Sequence, residues 1–159
     1  MDRRKKILAP TDLSELSEVG VRSAMEMARS QGAEVIVYHV IGFEETTVPY
    51  EGFYTESLAR LVPQERKKLL AEFLRENFAD ILPQVTIRQE VEVGVPYKRI
   101  VEKAAEEGAE LIVMSTHGRT GLLHMLIGSV TEKVVQRAPC PVLSIHPMKE
   151  PKLPEAVAV

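Results

Sequence analysis

Leu111-Ile-Val-Met-Ser-Thr-His-Gly-Arg-Thr-Gly-Leu-Leu-His-Met-Leu-Ile-Gly-Ser-Val-Thr-Glu-Lys-Val134 is the stretch on which the reading of this chain turns. It opens with an apolar, partly branched run, the pattern of a strand buried on both faces. The run stops at Ser115-Thr116-His117-Gly118, too polar and too flexible to continue a core strand. A loop follows, and Gly128-Ser129 opens a helix with Val130, Val134 and Val135 expected on its inner side. Strand, glycine-bearing loop and helix N-terminus in that order build an anion site. First-turn N–H groups point outward there, and the helix dipole favours negative charge. Gly118 and Gly128 let backbone approach a phosphate with no Cβ in the way. Ser129 offers a hydroxyl and Arg119 a charge-assisted hydrogen bond. Gly128-Ser129 equally fits a plain helix N-cap, so the stretch alone leaves both roles open.

No G-x-x-x-x-G-K-[ST] loop and no G-x-G-x-x-G fingerprint occurs in the chain. The residues resemble the nucleotide-binding signature of the universal stress protein family, G-x-x-G-x9-G-[ST]. Here it reads Ser115-Thr116-His117-Gly118, nine residues from Arg119 to Ile127, then Gly128-Ser129. Ser115 departs from the pattern, because the ATP-binding branch usually has glycine there. That departure favours a second reading, a family member without nucleotide that acts through protein contacts.

Outside this stretch the composition narrows the classes. A chain of 159 residues predicts one domain with a substantial core. The formal net charge of −3 gives no electrostatic footprint for nucleic acid. The short basic run Arg3-Arg4-Lys5-Lys6 reads as the solvated start of a strand. Cys140 is the single cysteine, which excludes an internal disulfide and suits a reducing compartment. Lying between Pro139 and Pro141, it reads as a packing residue. No apolar run approaches a membrane span and no signal pattern opens the chain, so a cytoplasmic location is expected.

Taken in order, Lys6 to Pro10 is a short apolar strand. Thr11-Asp12-Leu13-Ser14 leads into a helix, with Asp12 and Glu15 at capping-box spacing and Ser14 as a rival cap. Val21, Ala24, Met25 and Ala28 form its apolar face, and Gly32 stops it. Glu34 to Val40 is the second strand, completing a βαβ unit with a parallel, buried pair. From Ile41 to Pro63 the pattern weakens into an excursion with a short helix at Glu56 to Leu61. Gln64 to Phe78 predicts an amphipathic helix with Leu69, Leu70, Phe73 and Leu74 inward. Val85 to Val93 alternates as an edge strand would. Gly94-Val95-Pro96 turns into a helix from Tyr97 to Glu107, with Ile100, Val101, Ala104 and Ala105 inward and Gly108 at its end. Val142 to Ile145 is the last strand, and 147–159 is a proline- and charge-rich tail.

The alternation predicts an α/β fold with a mainly parallel sheet. The resemblance covers Lys5 to His146 and also includes Ile7 to Ser14, Val37 to Val40, Gly94 to Pro96 and Pro139 to Leu143. It implies one domain over 1–146 and an open five-stranded parallel sheet in the order 3-2-1-4-5, helices on both faces, the adenine nucleotide alpha hydrolase-like fold. In that order the sheet reverses direction between its first and fourth strands, and ligands bind at such switch points. The resemblance implies adenine near Val40 and Asp12, with Pro10, Thr11 and Met114 beside them. Ribose and phosphates are implied along Ser115, Thr116, His117, Gly118, Arg119, Thr120 and Gly121, and along Gly128, Ser129, Val130 and Thr131. The implied cofactor is ATP or another adenine nucleotide with Mg²⁺. Asp12 has three candidate roles, as nucleoside partner, as ligand of a hydrated Mg²⁺, or as helix cap. His117 either contacts phosphate or shapes the loop, and His39, His124 and His146 show no metal-ligand spacing. No residue stands out as a base for an attacking water, so binding is expected, with slow ATP hydrolysis at most. Ala9 to Ser14 lacks the Ser-Gly-Gly-x-Asp-Ser loop that an ATP pyrophosphatase would need. The expected protein is a stress-response module, homodimeric through Val142 to Ile145, whose strand carries no charge or proline to deter pairing.

Overall fold

Strands alternate with helices because the chain alternates short β-branched runs with 3.6-period segments. In the computed structural model, described for residues 3–46, 56–118 and 127–147, the strands are β1 (Lys6–Pro10), β2 (Glu34–Ile41), β3 (Thr86–Val93), β4 (Leu111–Ser115) and β5 (Val142–Ile145). The helices are α1 (Glu18–Gln31), α2 (Phe43–Thr46), α3 (Glu56–Phe78), α4 (Pro96–Glu107) and α5 (Ser129–Arg137). All strand pairs are parallel, in the order β3-β2-β1-β4-β5.

Period-2 alternation in the inner strands sorts the core into two layers. Ile7, Ala9, Val35, Val37 and Val113 face α1 and α3, meeting Val21, Met25, Leu70, Phe73, Leu74 and Phe78. Leu8, Ile36, Tyr38, Ile112 and Met114 face the other way, toward Ile100 and Ala104 of α4 and Val134 of α5. Each fully buried large apolar side chain contributes about 1.5–3 kcal/mol of burial. Gly32 and Gly108 end α1 and α4 at φ 64° and 61°, a left-handed turn that glycine makes without a Cβ penalty. Cys140 packs against the second layer. The basic run pairs with α4 and its following turn, Lys6 with Glu107 and Lys5 with Glu110. No helix among the described residues is long and apolar enough to cross a membrane.

Several local expectations are corrected. The segment from 56 to 78 is one helix that runs through Pro63, so the proline's lost hydrogen bond does not outweigh the helix on either side. A short helix, α2, occupies 43–46 within the expected excursion; residues 47–55 lie outside the described part. The capping box does not form. Leu13 adopts φ 65° and turns the chain, so Ser14 caps a 3-10 turn (Glu15–Ser17) that precedes α1. Asp12 Oδ1 accepts instead from the backbone N–H and hydroxyl of Ser14.

Three residues expected inside are outside. Leu69 is 39% exposed because the α3 stripe is centred on Leu70 to Leu74. Val135 is 50% exposed, since Thr131 and Val134 take the inner side of α5. In α4 Ala105 is exposed, and Lys103 is buried in its stead over the acidic side chains of β3.

Candidate functional site

The sheet order makes the site. β1 lies between β2 and β4, whose connections leave in opposite directions, and the crevice between them opens at the strands' carboxyl ends. A cavity of about 350 Å³ sits there, within the range of small-molecule sites. It is lined by Pro10, Thr11 and Asp12 after β1, Val40 of β2, Met114 to Gly118 at the end of β4, and Gly128 to Thr131 at the start of α5. Arg119, Thr120 and Gly121 lie outside the described residues, as do His124 and the tail from 148 onward.

Each wall has a local cause. On the β1 side, Thr11 Oγ1 pairs with Ser17 Oγ at 2.7 Å and accepts from the Leu13 N–H at 3.0 Å. The Thr11 carbonyl lies 2.9 Å from His39 Nδ1, while His39 Nε2 lies 3.1 Å from Arg66 Nη1. A guanidinium only donates and a carbonyl only accepts, so the buried imidazole carries its proton on Nδ1. Arg66 also pairs with Glu45 of α2, tying α2 to this wall.

Across the crevice, a Cβ at Gly118 would lie 2.2 Å from Asp12 Oδ2, so any larger residue there would have to displace the Asp12 carboxylate. The Gly128 N–H donates to the Thr116 carbonyl at 2.6 Å. Gly128 has an ordinary φ of −73°; its need for glycine is the close approach, since a Cβ would stand 3.0 Å from that carbonyl. As N-cap it has no side chain to accept the first-turn N–H groups of α5, and N–H groups at a helix N-terminus are suited to meeting an anion. Thr131 Oγ1 donates to the Ser115 carbonyl at 2.9 Å. The Thr116 hydroxyl stands 2.8 Å from His117 Nδ1 and 3.2 Å from His146 Nδ1. His117 is therefore held by the loop and also lines the cavity.

Sequence reasoning missed Ser17, Tyr38, Glu44, Glu45, Pro96 and Ile100, which also line the cavity. Tyr38 and Pro96 fall inside short stretches that carry the family resemblance, but nothing local marked their side chains. Glu44 and Glu45 fell in the stretch read as an excursion. Tyr38 is buried, and its hydroxyl donates to Glu92 at 2.8 Å. Burial first, and the Glu92 carboxylate second, push this phenol above its ordinary value.

The cavity thus has two characters. Tyr38, Val40, Pro96 and Ile100 give an apolar slot near β2, with Glu44 and Glu45 of α2 also in the wall, and the polar loops and α5 N-terminus lie near β4. β2 and β4 are two strand spacings apart, about 10 Å. Among the described residues no group of three His, Cys, Asp or Glu could hold a metal ion.

The sequence profile of the Universal stress protein family matches residues 3–146. Universal stress protein MJ0531 of Methanocaldococcus jannaschii is 37% identical over 151 residues, covering 93% of this chain and 84% of the relative. The solved structure of protein MJ0577 is 31% identical, with a TM-score of 0.69, covering 92% of this chain and 98% of that one. A universal stress protein solved in complex with cAMP shares the fold at 24% identity and a TM-score of 0.64, covering 90% and 97% of the two chains. Profile, relatives and sheet order agree over nearly the whole length: the chain belongs to the universal stress protein family.

Proposed function

We propose that this protein binds an adenine nucleotide, ATP with Mg²⁺, at the switch-point cavity and acts as a homodimeric stress-response module in the cytoplasm. One observation carries the reading. A single cavity joins an apolar slot near β2 to a helix N-terminus with no capping side chain near β4. An aromatic base fits the first, and phosphates fit the second. The fold relative solved with cAMP holds an adenine nucleotide of its own. Asp12 fits either a nucleoside hydroxyl or the hydration shell of Mg²⁺. Its Oδ1 is committed to Ser14, and its Oδ2 lies at the cavity wall against Gly118. Bound Mg²⁺ would supply charge neutralisation at the phosphates. The proposed roles of Arg119, Thr120 and Gly121 rest on the signature alone. Binding, not turnover, is the proposed activity.

The homodimer is proposed through β5, two copies running antiparallel about a two-fold axis. β5 is the outermost strand beyond β4 and leaves Leu143 40% exposed.

Calorimetric titration with ATP and Mg²⁺ tests the site. We expect saturable binding and a thermal shift equivalent to about 2.7 kcal/mol at a hundred times Kd. No heat and no shift at millimolar nucleotide would remove the nucleotide reading and leave a family member that works through protein contacts alone.

A further inference from the structure

We infer that Ser115 is a positioning residue for this cavity, whose hydroxyl strengthens ligand binding by anchoring α1, although it replaces the glycine usual in the signature. The inference rests on the nucleotide reading above. Ser115 is buried, and its Oγ accepts the backbone N–H of Gly20 at 3.1 Å. Gly20 lies in the first turn of α1, where an N–H has no partner within its own helix. The two backbones touch at this point: a Cβ at Gly20 would come within 2.6 Å of Ser115 N and 2.8 Å of the Met114 carbonyl carbon. The Ser115 carbonyl, meanwhile, takes the Thr131 hydroxyl of α5 at 2.9 Å.

One residue therefore ties together the N-terminal turns of α1 and α5, whose N-caps Ser17 and Gly128 both line the cavity. The α1 side of this tie reaches the ligand wall directly. Ser17, the N-cap of α1, pairs with Thr11 at 2.7 Å, and both line the cavity beside Asp12. Glycine at 115 would leave the Gly20 N–H buried without its acceptor and loosen the N-terminal turn of α1 against β4. A buried donor left unmatched costs more than the net value of the bond it made.

The experiment measures Mg²⁺-ATP affinity of wild type, Ser115→Ala and Ser115→Gly, with amide exchange at Gly20. Val21→Ala serves as a control, because Val21 is buried in α1 and does not line the cavity. We expect both Ser115 variants to raise Kd about fivefold to tenfold and to speed exchange at Gly20. Val21→Ala should lower thermal stability and leave Kd within about twofold. Tighter or unchanged binding by Ser115→Gly would overturn the inference and make the serine a hindrance or a neutral departure. Equal weakening by Val21→Ala would overturn it too, by reducing the effect to general stability. A wild type that binds no nucleotide removes the nucleotide reading and with it the ligand half of this inference. The anchor itself is still decided by Gly20 exchange, which at the wild-type rate in Ser115→Ala refutes it.

Discussion

The two outer strands of the sheet are built on opposite plans. β3 runs for eight residues and turns Arg88, Glu90 and Glu92 into a network with α4. Lys103 Nζ lies 2.7 Å from Glu90 Oε2, and Arg88 grips Glu107 with two bonds of 2.7 and 2.8 Å. Lys6 meets the same Glu107 at 2.7 Å, and Arg99 pairs with Glu92 and Glu102. The network reaches the cavity through Tyr38, whose hydroxyl is held by Glu92 and whose ring lies 5.3 Å from the Lys103 ammonium. β5 has four residues, Val142-Leu-Ser-Ile145, with no charge among them. Both strands end a row of backbone groups that could pair with another chain. Inward-pointing charges are a way of making such an edge unfit for pairing, and an apolar edge without them invites it. Among the described residues the sheet is thus closed on the β3 side by charge and left open on the β5 side.

The largest effect expected is on the open edge. Leu143→Lys removes an apolar contact from each copy, about 1.5–3 kcal/mol apiece, and sets two like charges near the axis. The proposed dimer should weaken by at least about a hundredfold, at 1.4 kcal/mol per tenfold. Sedimentation of wild type and variant checks this. A monomeric wild type, or an unmoved dissociation constant, would mean that the contrast between the edges does not govern assembly.

On the closed edge, Lys103→Ala removes the buried ammonium that Glu90 and Glu92 share, leaving Glu90 with Arg88 and Glu92 with Arg99 and Tyr38. Breaking a buried pair costs about 3–5 kcal/mol, and partial exposure of both glutamates puts the expected loss at about 3 kcal/mol. Urea unfolding reads it. A loss under about 1 kcal/mol would show the network to be a solvated surface feature, as isolated exposed ion pairs are.

A smaller effect comes from acid. Burial pushes the Glu92 carboxyl up, but hydrogen bonds from Lys103, Arg99 and Tyr38 outweigh it and bring it down to about 2 from 4.5. Arg88 and then Lys6 lower Glu107 to about 2 as well. Folded values below the unfolded ones mean stability that is present above pH 4.5 and lost as pH falls toward 2. By pH 4 the loss should be about 1 kcal/mol per group. Thermal melts of wild type and Glu107→Gln between pH 6 and 3 measure it. The variant should be less stable at pH 6 and show a shallower acid slope. Parallel curves would mean that folding does not lower the Glu107 pKa.

The sequence by itself determined the alternation of elements, the stops at Gly32 and Gly108, and the two loops that carry Asp12 and Gly118. These are legible because period, turn chemistry and glycine placement act within a few residues of chain. The family signature added the strand order, and so the side of the sheet on which those loops meet. What only the tertiary structure decided is which part of each apolar face found a partner. α5 turned Val134 in and Val135 out, and α4 buried Lys103 while exposing Ala105, because β3 presents carboxylates under that flank. The tie between Gly20 and Ser115 spans 95 residues of chain; the signature marks Ser115, but nothing local pairs it with Gly20. Tyr38 and Pro96 enter the cavity wall for the same reason. Their neighbours there are set by crossovers, and a crossover brings together residues whose separation along the chain carries no periodic trace.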